Sequence, residues 1–325
     1  MQIAITGINM AYEKIQNLTR RPMRKIIFIL DESGAKGYSS NIERIPGELG
    51  LIAGYLIPSN CLDFVRNELN TIQSNFFSDG KIHITDLPPQ QQEELRDSIF
   101  DYFIQRNIYW VYEAIYVQGY FENNDFLNKS TKKAHKSRRS NIQISWKEKN
   151  KLLHAQLFQG AFGKAVAFCL DHVGSQINLD VITDRADASI IKKFQHKADD
   201  FLSVGKEKTH ETTGFNKDSK QVARGNISTS ITSGIEAIGD FSGVSYSITC
   251  EDSSLTLAAD VLVNSVNYHL KSLQAQNTGI ALNVEASIAN HPLSKLVYGA
   301  WNNEEVNYFS DAIFMHPTQK ARDNT

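Results

Sequence analysis

A run of five apolar residues, Ile26 to Leu30, is the feature that most restricts how this chain can fold. Because none of the five is polar, the run has no face for water, which is typical of a central strand covered on both sides. The acidic residue Asp31 follows directly. Its carboxylate is therefore expected at the end of a buried strand, where open α/β sheets bind their ligands.

Further segments alternate between strand-like and helix-like patterns and predict an α/β fold. Strands are expected over 50–57, 108–117, 177–183 and 244–249. Helices are expected over 59–72, 89–106 and 151–173, then in a segment that ends at about residue 202, and finally over 253–270. Two stretches interrupt this order. Residues 118–150 form a basic insertion, and residues 205–240, rich in Gly, Ser, Thr and Lys without an apolar period, are predicted to be a mobile loop.

The chain of 325 residues is divided into one large domain with extensions at both ends. An N-terminal extension covers 1–24, the α/β domain covers 25–275, and a C-terminal extension covers 276–325. A short helix is expected around 293–301. The C-terminal extension either packs on the core or mediates contact with a protein partner or a second copy, and the sequence leaves both open.

Charge and cysteine content exclude several classes of protein. The formal net charge of −2 rules out a polycation that coats nucleic acid, so any affinity for nucleic acid must come from local clusters. The three cysteines include no CxxC pair, which argues against a disulfide framework or a structural zinc site. No apolar run approaches the ~20 residues that span a bilayer. We therefore expect a cytoplasmic protein without a membrane partner.

Two further carboxylates share the expected location of Asp31. Asp184 follows the predicted strand 177–183, and Asp260 lies on a helix that is otherwise apolar except for a narrow polar stripe. The stripe comprises Thr256, Asp260, Asn264, Asn267 and Lys271. A carboxylate on a mostly buried helix needs either a structural partner or a bound cation.

Acidic side chains gathered from distant parts of a chain repel one another, and a divalent cation offsets that repulsion. Oxygen ligands without a His/Cys set favour Mg²⁺ or Mn²⁺. Such sites suit phosphodiester hydrolysis by two ions, with Asp31 bridging them and Asp184 and Asp260 each completing one.

Four segments carry a resemblance to a known family: Ile29 to Gly34 with its D-E-S-G, Lys81 to Asp86, Asp184-Arg185, and Leu257 to Asp260. They resemble a large, mostly uncharacterised bacterial and phage domain family regarded as ribonuclease H-like, over roughly residues 25–275. The resemblance implies a mixed sheet flanked by helices and a metal-dependent nuclease site with Asp31, Asp184 and Asp260 as ligands. It also implies an association with mobile elements and antiviral defence.

The middle motif departs from that family. Members often have an acidic residue before the histidine, whereas this chain has Lys81 two residues ahead of His83. The fourth ligand is therefore open between Asp86 and His83, and a single weakly bound ion is the alternative.

Each remaining candidate has a functional and a structural interpretation. His83 shuttles a proton or lies near the scissile phosphate, or it is a solvated loop residue. Either His83 or Lys81 is expected to assist the movement of charge or of a proton. Asp31 could instead form an Asx-turn, and Asp184 could pair with Arg185 or cap a helix. Glu32 is expected on the opposite face of the strand, and Ser33 in a turn. Asn264 belongs to the polar stripe.

The basic insertion either grips a phosphate backbone and stacks a base or is a solvated loop. Its candidate nucleic-acid-binding residues are Lys132, Lys133, Lys136, Arg138, Arg139 and Trp146.

Three functions remain as hypotheses. The first is a Mg²⁺- or Mn²⁺-dependent nuclease acting on DNA or RNA. The second is an actin- or sugar-kinase-like phosphotransferase or ATPase with Ser33 to Lys36 as a phosphate loop, although residues 184–187 lack its second phosphate turn. The third is a non-catalytic nucleic-acid-binding or adaptor protein with a structural carboxylate cluster.

Overall fold

The computed structural model describes ten ranges of the chain. They are residues 24–35, 43–76, 83–137, 142–144, 153–203, 208–216, 219–229, 241–276, 280–299 and 311–314. The strands in chain order are β1 (Arg24–Gly34), β2 (Leu49–Pro58), β3 (Trp110–Tyr116), β4 (Ile142–Ile144), β5 (Ile177–Thr183), β6 (Lys208–Asn216), β7 (Gln221–Thr229) and β8 (Val244–Cys250). The helices are α1 (Leu62–Ser74), α2 (Pro89–Arg106), α3 (Val117–Ser137), α4 (Leu153–His172), α5 (Ala188–Leu202), α6 (Ser254–Ala275) and α7 (Asp311–Phe314).

A mixed five-stranded sheet in the order β3-β2-β1-β5-β8 forms the centre of the fold. Strand β1 is antiparallel to β2 and parallel to β5, and β8 is parallel to β5. Helices α1, α2 and α6 lie on one face of the sheet, and α4 and α5 lie on the other. The apolar run in β1 is buried because both faces of this strand are covered. The predicted α/β class is confirmed.

Helix α6 covers β1 and β2 on its face of the sheet. It begins after Ser253, whose side chain accepts a hydrogen bond from the backbone N–H of Leu255 and whose own N–H donates to Thr256. These bonds satisfy donors that the first turn of a helix leaves unpaired. The apolar residues of α6 are buried on nearly all sides, so the polar stripe is fixed in its orientation.

A small second sheet replaces the loop that the sequence predicts over 205–240. Strands β6 and β7 form an antiparallel hairpin, and β4 pairs with the outer side of β6. The mobile-loop prediction was therefore wrong for these residues. The absence of an apolar period misled it, because hairpin strands are held by backbone hydrogen bonds and threonine, abundant in β6, favours strands.

The basic insertion over 118–150 also has regular structure in the part that is described. Helix α3 follows β3 without a loop and occupies 117–137, and β4 follows it. Within the ranges given above, no helix is both long enough and apolar enough to cross a bilayer.

The C-terminal extension packs on the core over residues 280–299. The indole N–H of Trp110 donates to the carbonyl of Leu293 at 2.9 Å, and the Tyr112 hydroxyl donates to the carbonyl of Leu282 at 2.9 Å. The helix expected around 293–301 was wrong over the described residues. The segment forms a single 3-10 turn, Ser294–Leu296, and then pairs with Trp110.

Candidate functional site

The ends of two parallel strands bring Asp31 and Asp184 close to each other. Leu30 on β1 is in register with Thr183 on β5, so the residues that follow them continue side by side at the same edge of the sheet. Asp31 is buried, with 7% of its surface exposed, and Asp184 is partly exposed. The backbone N–H of Glu32 donates to the Asp31 carboxylate at 2.8 Å, and that of Arg185 donates to Asp184 at 2.6 Å.

Asp260 reaches the same region from α6, two turns after the start of the helix. Its Oδ2 accepts a hydrogen bond from the backbone N–H of Ile84 at 2.8 Å and lies 3.5 Å from Nδ1 of His83. His83 is half-exposed, so it stands at the rim, whereas the Asp260 side chain is only 15% exposed.

These side chains line one cavity of about 360 Å³. The residues around it are Asp31, Gln73, His83, Asp184, Arg185, Asp252, Ser253, Thr256, Leu257 and Asp260. The structure therefore brings together the three carboxylates singled out from the sequence, together with His83 and Arg185. It adds a fourth carboxylate, that of Asp252.

The cavity disfavours negative charge on two of its carboxylates. Burial raises the pKa of Asp31 well above its ordinary value, and the charges of Asp260, Glu32 and Asp184 raise it further. Burial also raises the pKa of Asp260, while the Ile84 N–H and His83 oppose that shift. A positive charge in the cavity would stabilise the ionised form of both carboxylates.

The donor set fits a hard divalent cation, but it is not arranged as a finished coordination sphere. All the acidic ligand candidates are carboxylate oxygens, which suit Mg²⁺ or Mn²⁺. Among the described residues, no three His, Cys, Asp or Glu side chains are already grouped closely enough to hold a metal ion. Binding of an ion would therefore require the carboxylates to close around it.

Of the two candidates for a fourth ligand, Asp86 and His83, the structure places only His83 at the cavity. The Asp86 carboxylate accepts a hydrogen bond from the backbone N–H of His83 at 3.0 Å and closes the 3-10 turn Ile84–Asp86. Asp86 is exposed and does not line the cavity, whereas His83 does.

Glu32 and Ser33 have structural contacts outside the cavity. Glu32 lies on the opposite face of β1 from Asp31, as expected from the alternation along a strand, and its carboxylate contacts the buried ring of His154 on α4. Ser33 accepts a hydrogen bond from the side-chain amide of Asn267 on α6 at 2.8 Å. Asn264, partly buried on the same helix, does not line the cavity.

The backbone conformation at Gly34 explains why the D-E-S-G sequence ends in glycine. Its φ is +76°, a conformation that side chains strain, and a Cβ there would lie 2.3 Å from the carbonyl oxygen of Leu49. The glycine is therefore required by the close approach of β1 and β2.

Several predicted residues cannot be placed in the site. Lys81, Arg138, Arg139 and Trp146 lie outside the described residues. Lys132, Lys133 and Lys136 belong to α3, and only their backbone is described. Their role in binding nucleic acid stays a prediction.

Sequence reasoning missed two residues that line the cavity. Asp252 directly precedes Ser253, the residue that caps α6. Its signal was its position between a strand and the helix that carries Asp260. Gln73 lies near the end of α1 and gave no signal in the sequence.

No family model matches this chain, and no curated protein is significantly similar to it.

Proposed function

We propose that this protein is a Mg²⁺- or Mn²⁺-dependent nuclease that hydrolyses phosphodiester bonds of DNA or RNA on a ribonuclease H-like fold. One observation carries the proposal: Asp31, Asp184 and Asp260 come from two strand ends and a helix and line the same cavity. The mixed five-stranded sheet flanked by helices is compatible with such a fold. A role in defence against phages rests on the resemblance alone.

In this proposal Asp31, Asp184 and Asp260 hold the metal. Bound there, the metal would activate water and stabilise the charge that develops on phosphate oxygens. The raised pKa of Asp31 supports a cation at this position, because burial and the neighbouring acids make an isolated carboxylate there unfavourable. Asp31 is the central group of the site, because it is the most buried of the three carboxylates and the charges of both others raise its pKa.

The protein's own proton-transfer group is His83. Its ring lies at the cavity rim and is oriented by the carboxylate of Asp260, 3.5 Å from Nδ1. A half-exposed imidazole in this position can exchange protons with solvent and with a phosphate ester oxygen.

A direct test is cleavage of labelled single- and double-stranded DNA and RNA with Mg²⁺, Mn²⁺ or EDTA. Asp31→Asn and Asp260→Asn are compared with wild type and with Asp101→Asn, an exposed aspartate on α2 that serves as the matched control. Cleavage that needs metal, survives in Asp101→Asn and is lost in the two cavity variants supports the proposal. Cleavage that persists in both cavity variants contradicts it.

A second candidate is favoured by the spacing of the carboxylates. Because no three of the described side chains are grouped as metal ligands, a binding protein with a structural carboxylate cluster is also compatible with the cavity. This protein would bind the same nucleic acids, cleave none of them, and gain no thermal stability from Mn²⁺.

A further inference from the structure

Arg185 stands at the mouth of the carboxylate cavity. Its side chain is 76% exposed, and it lines the cavity together with four aspartates. Among the described lining residues, Arg185 carries the one permanent positive charge, because His83 is charged only when protonated.

The guanidinium of Arg185 is held loosely. Its Nη2 lies 3.5 Å from Oδ2 of Asp252. Exposed ion pairs of this length contribute little to stability, because water and salt compete with both partners. Releasing Arg185 from Asp252 therefore costs little.

The turn that carries Asp252, on the other side of this contact, is anchored to α1. The neighbouring Glu251 forms a two-point, half-buried ion pair with Arg66 on α1. The Ser254 hydroxyl also donates to the carbonyl of Arg66. The turn between β8 and α6 is thus anchored, and the movable member of the Arg185–Asp252 pair is the arginine.

A phosphodiester that enters this cavity meets four carboxylates, and like charges repel. A guanidinium compensates that repulsion and matches phosphate geometry with two parallel hydrogen bonds. We infer that Arg185 exchanges Asp252 for the substrate phosphate and holds the nucleic acid strand at the cavity mouth. The inference rests on the proposed function and adds the group that recognises the phosphate.

The test measures binding without turnover. In the Asp31→Asn background, a neutral amide replaces the deepest carboxylate, which removes cleavage under the proposal and lowers the repulsion of an anion. Fluorescence anisotropy with single-stranded DNA and RNA oligonucleotides then gives the Kd at several salt concentrations. The added variants are Arg185→Gln, Asp252→Asn and Lys295→Gln, the last removing an exposed positive charge beside β3.

We expect Arg185→Gln to weaken binding about tenfold and to reduce the salt slope of log Kd by about 0.7, the value for one lost phosphate contact on a single strand. Asp252→Asn tightens binding, because it removes the competing carboxylate. Lys295→Gln leaves the Kd within about twofold. Equal binding by the Arg185→Gln protein and its parent, or an equal loss in Lys295→Gln, overturns the inference.

The two proposals fail separately. If the otherwise unmodified protein cleaves nothing but Arg185→Gln still weakens binding, the phosphate contact stands and hydrolysis does not. If it cleaves, and Arg185→Gln cleaves with unchanged KM and kcat, the nuclease proposal stands and the role of Arg185 is wrong. The expected pattern is a raised KM with kcat changed much less.

Discussion

Asp260 on α6 accepts a hydrogen bond from the backbone N–H of Ile84, with 2.8 Å between Oδ2 and N. The bond ties the helix to the short turn that carries His83, although the two residues are 176 positions apart. Because the same Oδ2 lies beside the His83 ring, Asp260 fixes both the turn and the imidazole. A change at Asp260 is therefore expected to disturb His83 as well.

Asp31→Asn should stabilise the protein when metal is removed by EDTA. The folded state raises the pKa of Asp31, so it binds the proton more tightly than the unfolded state, and stability falls as pH rises above the ordinary carboxyl pKa. Asparagine has no such penalty. We expect the Tm at pH 7 to rise by about 2 °C, roughly 1 kcal/mol, and the gain to vanish near pH 3. The control Asp101→Asn should leave the Tm unchanged at both pH values. A lower Tm for Asp31→Asn than for wild type at pH 7 would contradict the electrostatic argument.

Mn²⁺ should raise the Tm of wild type but not of the cavity variants. A ligand that binds only the folded state at 100 times its Kd stabilises it by about 2.7 kcal/mol. Differential scanning fluorimetry of wild type, Asp31→Asn and Asp260→Asn over a Mn²⁺ series measures this gain. An identical rise in all three proteins would place the binding elsewhere, and no rise in wild type would favour the binding-protein candidate.

His83→Gln should slow cleavage and leave the fold intact. Loss of a proton-transfer group costs about 100-fold or more in rate, while the half-exposed position makes a large loss of stability unexpected. The adjacent exposed Thr85, changed to alanine, is the control for disturbance of the turn. A His83→Gln enzyme that cleaves at the rate of wild type would remove His83 from the mechanism.

His291 should make the protein sensitive to acid. Its ring is buried near Trp110 and Phe100, and Nε2 lies 3.0 Å from the Ser265 hydroxyl. Burial, with contributions from His269 and Arg96, lowers the pKa of His291 to about 3. The unfolded state therefore binds more protons between about pH 6.5 and pH 3, and stability falls as the pH falls through that range.

The corresponding measurement is urea unfolding at pH 7 and pH 4.5. The free energy of unfolding of wild type should fall by about 2 to 3 kcal/mol more than that of His291→Gln, which cannot be protonated in this range. His196→Gln, at a mostly exposed position on α5, is the matched control and should behave as wild type. Equal acid sensitivity in wild type and His291→Gln would show that the folded protein protonates His291 as readily as the unfolded chain does, which would contradict the burial argument.

The central sheet could be predicted from the sequence because the burial of its elements determines which of their residues are apolar. A strand such as β1, covered on both faces, has an apolar residue at every core position, and α6 shows its one polar stripe for the same reason. Asp31, Asp184 and Asp260 were predictable because each interrupts or ends such a pattern.

The small sheet and the mouth of the cavity could not be predicted in the same way. Strands β6 and β7 have no apolar period, so the pattern favoured a loop, and their pairing depends on the backbone. The contact between Arg185 and Asp252 joins residues 67 positions apart in sequence. The residues around an exposed arginine in the sequence do not indicate which nearby carboxylate it will pair with, because each such pair contributes very little to the free energy of folding.

The C-terminal segment covers the start of an edge strand of the central sheet. Strand β3 is an edge of the central sheet, and Val297 and Tyr298 meet its first residue, Trp110, with the Tyr298 N–H donating to the Trp110 carbonyl at 2.8 Å. An uncovered edge strand can pair with the same edge of another chain. A chain shortened to residue 276 would lose the buried residues Leu282, Ile288 and Leu293 and would expose the start of this edge together with the Trp110 indole, so association through the exposed edge is expected to accompany the loss of stability.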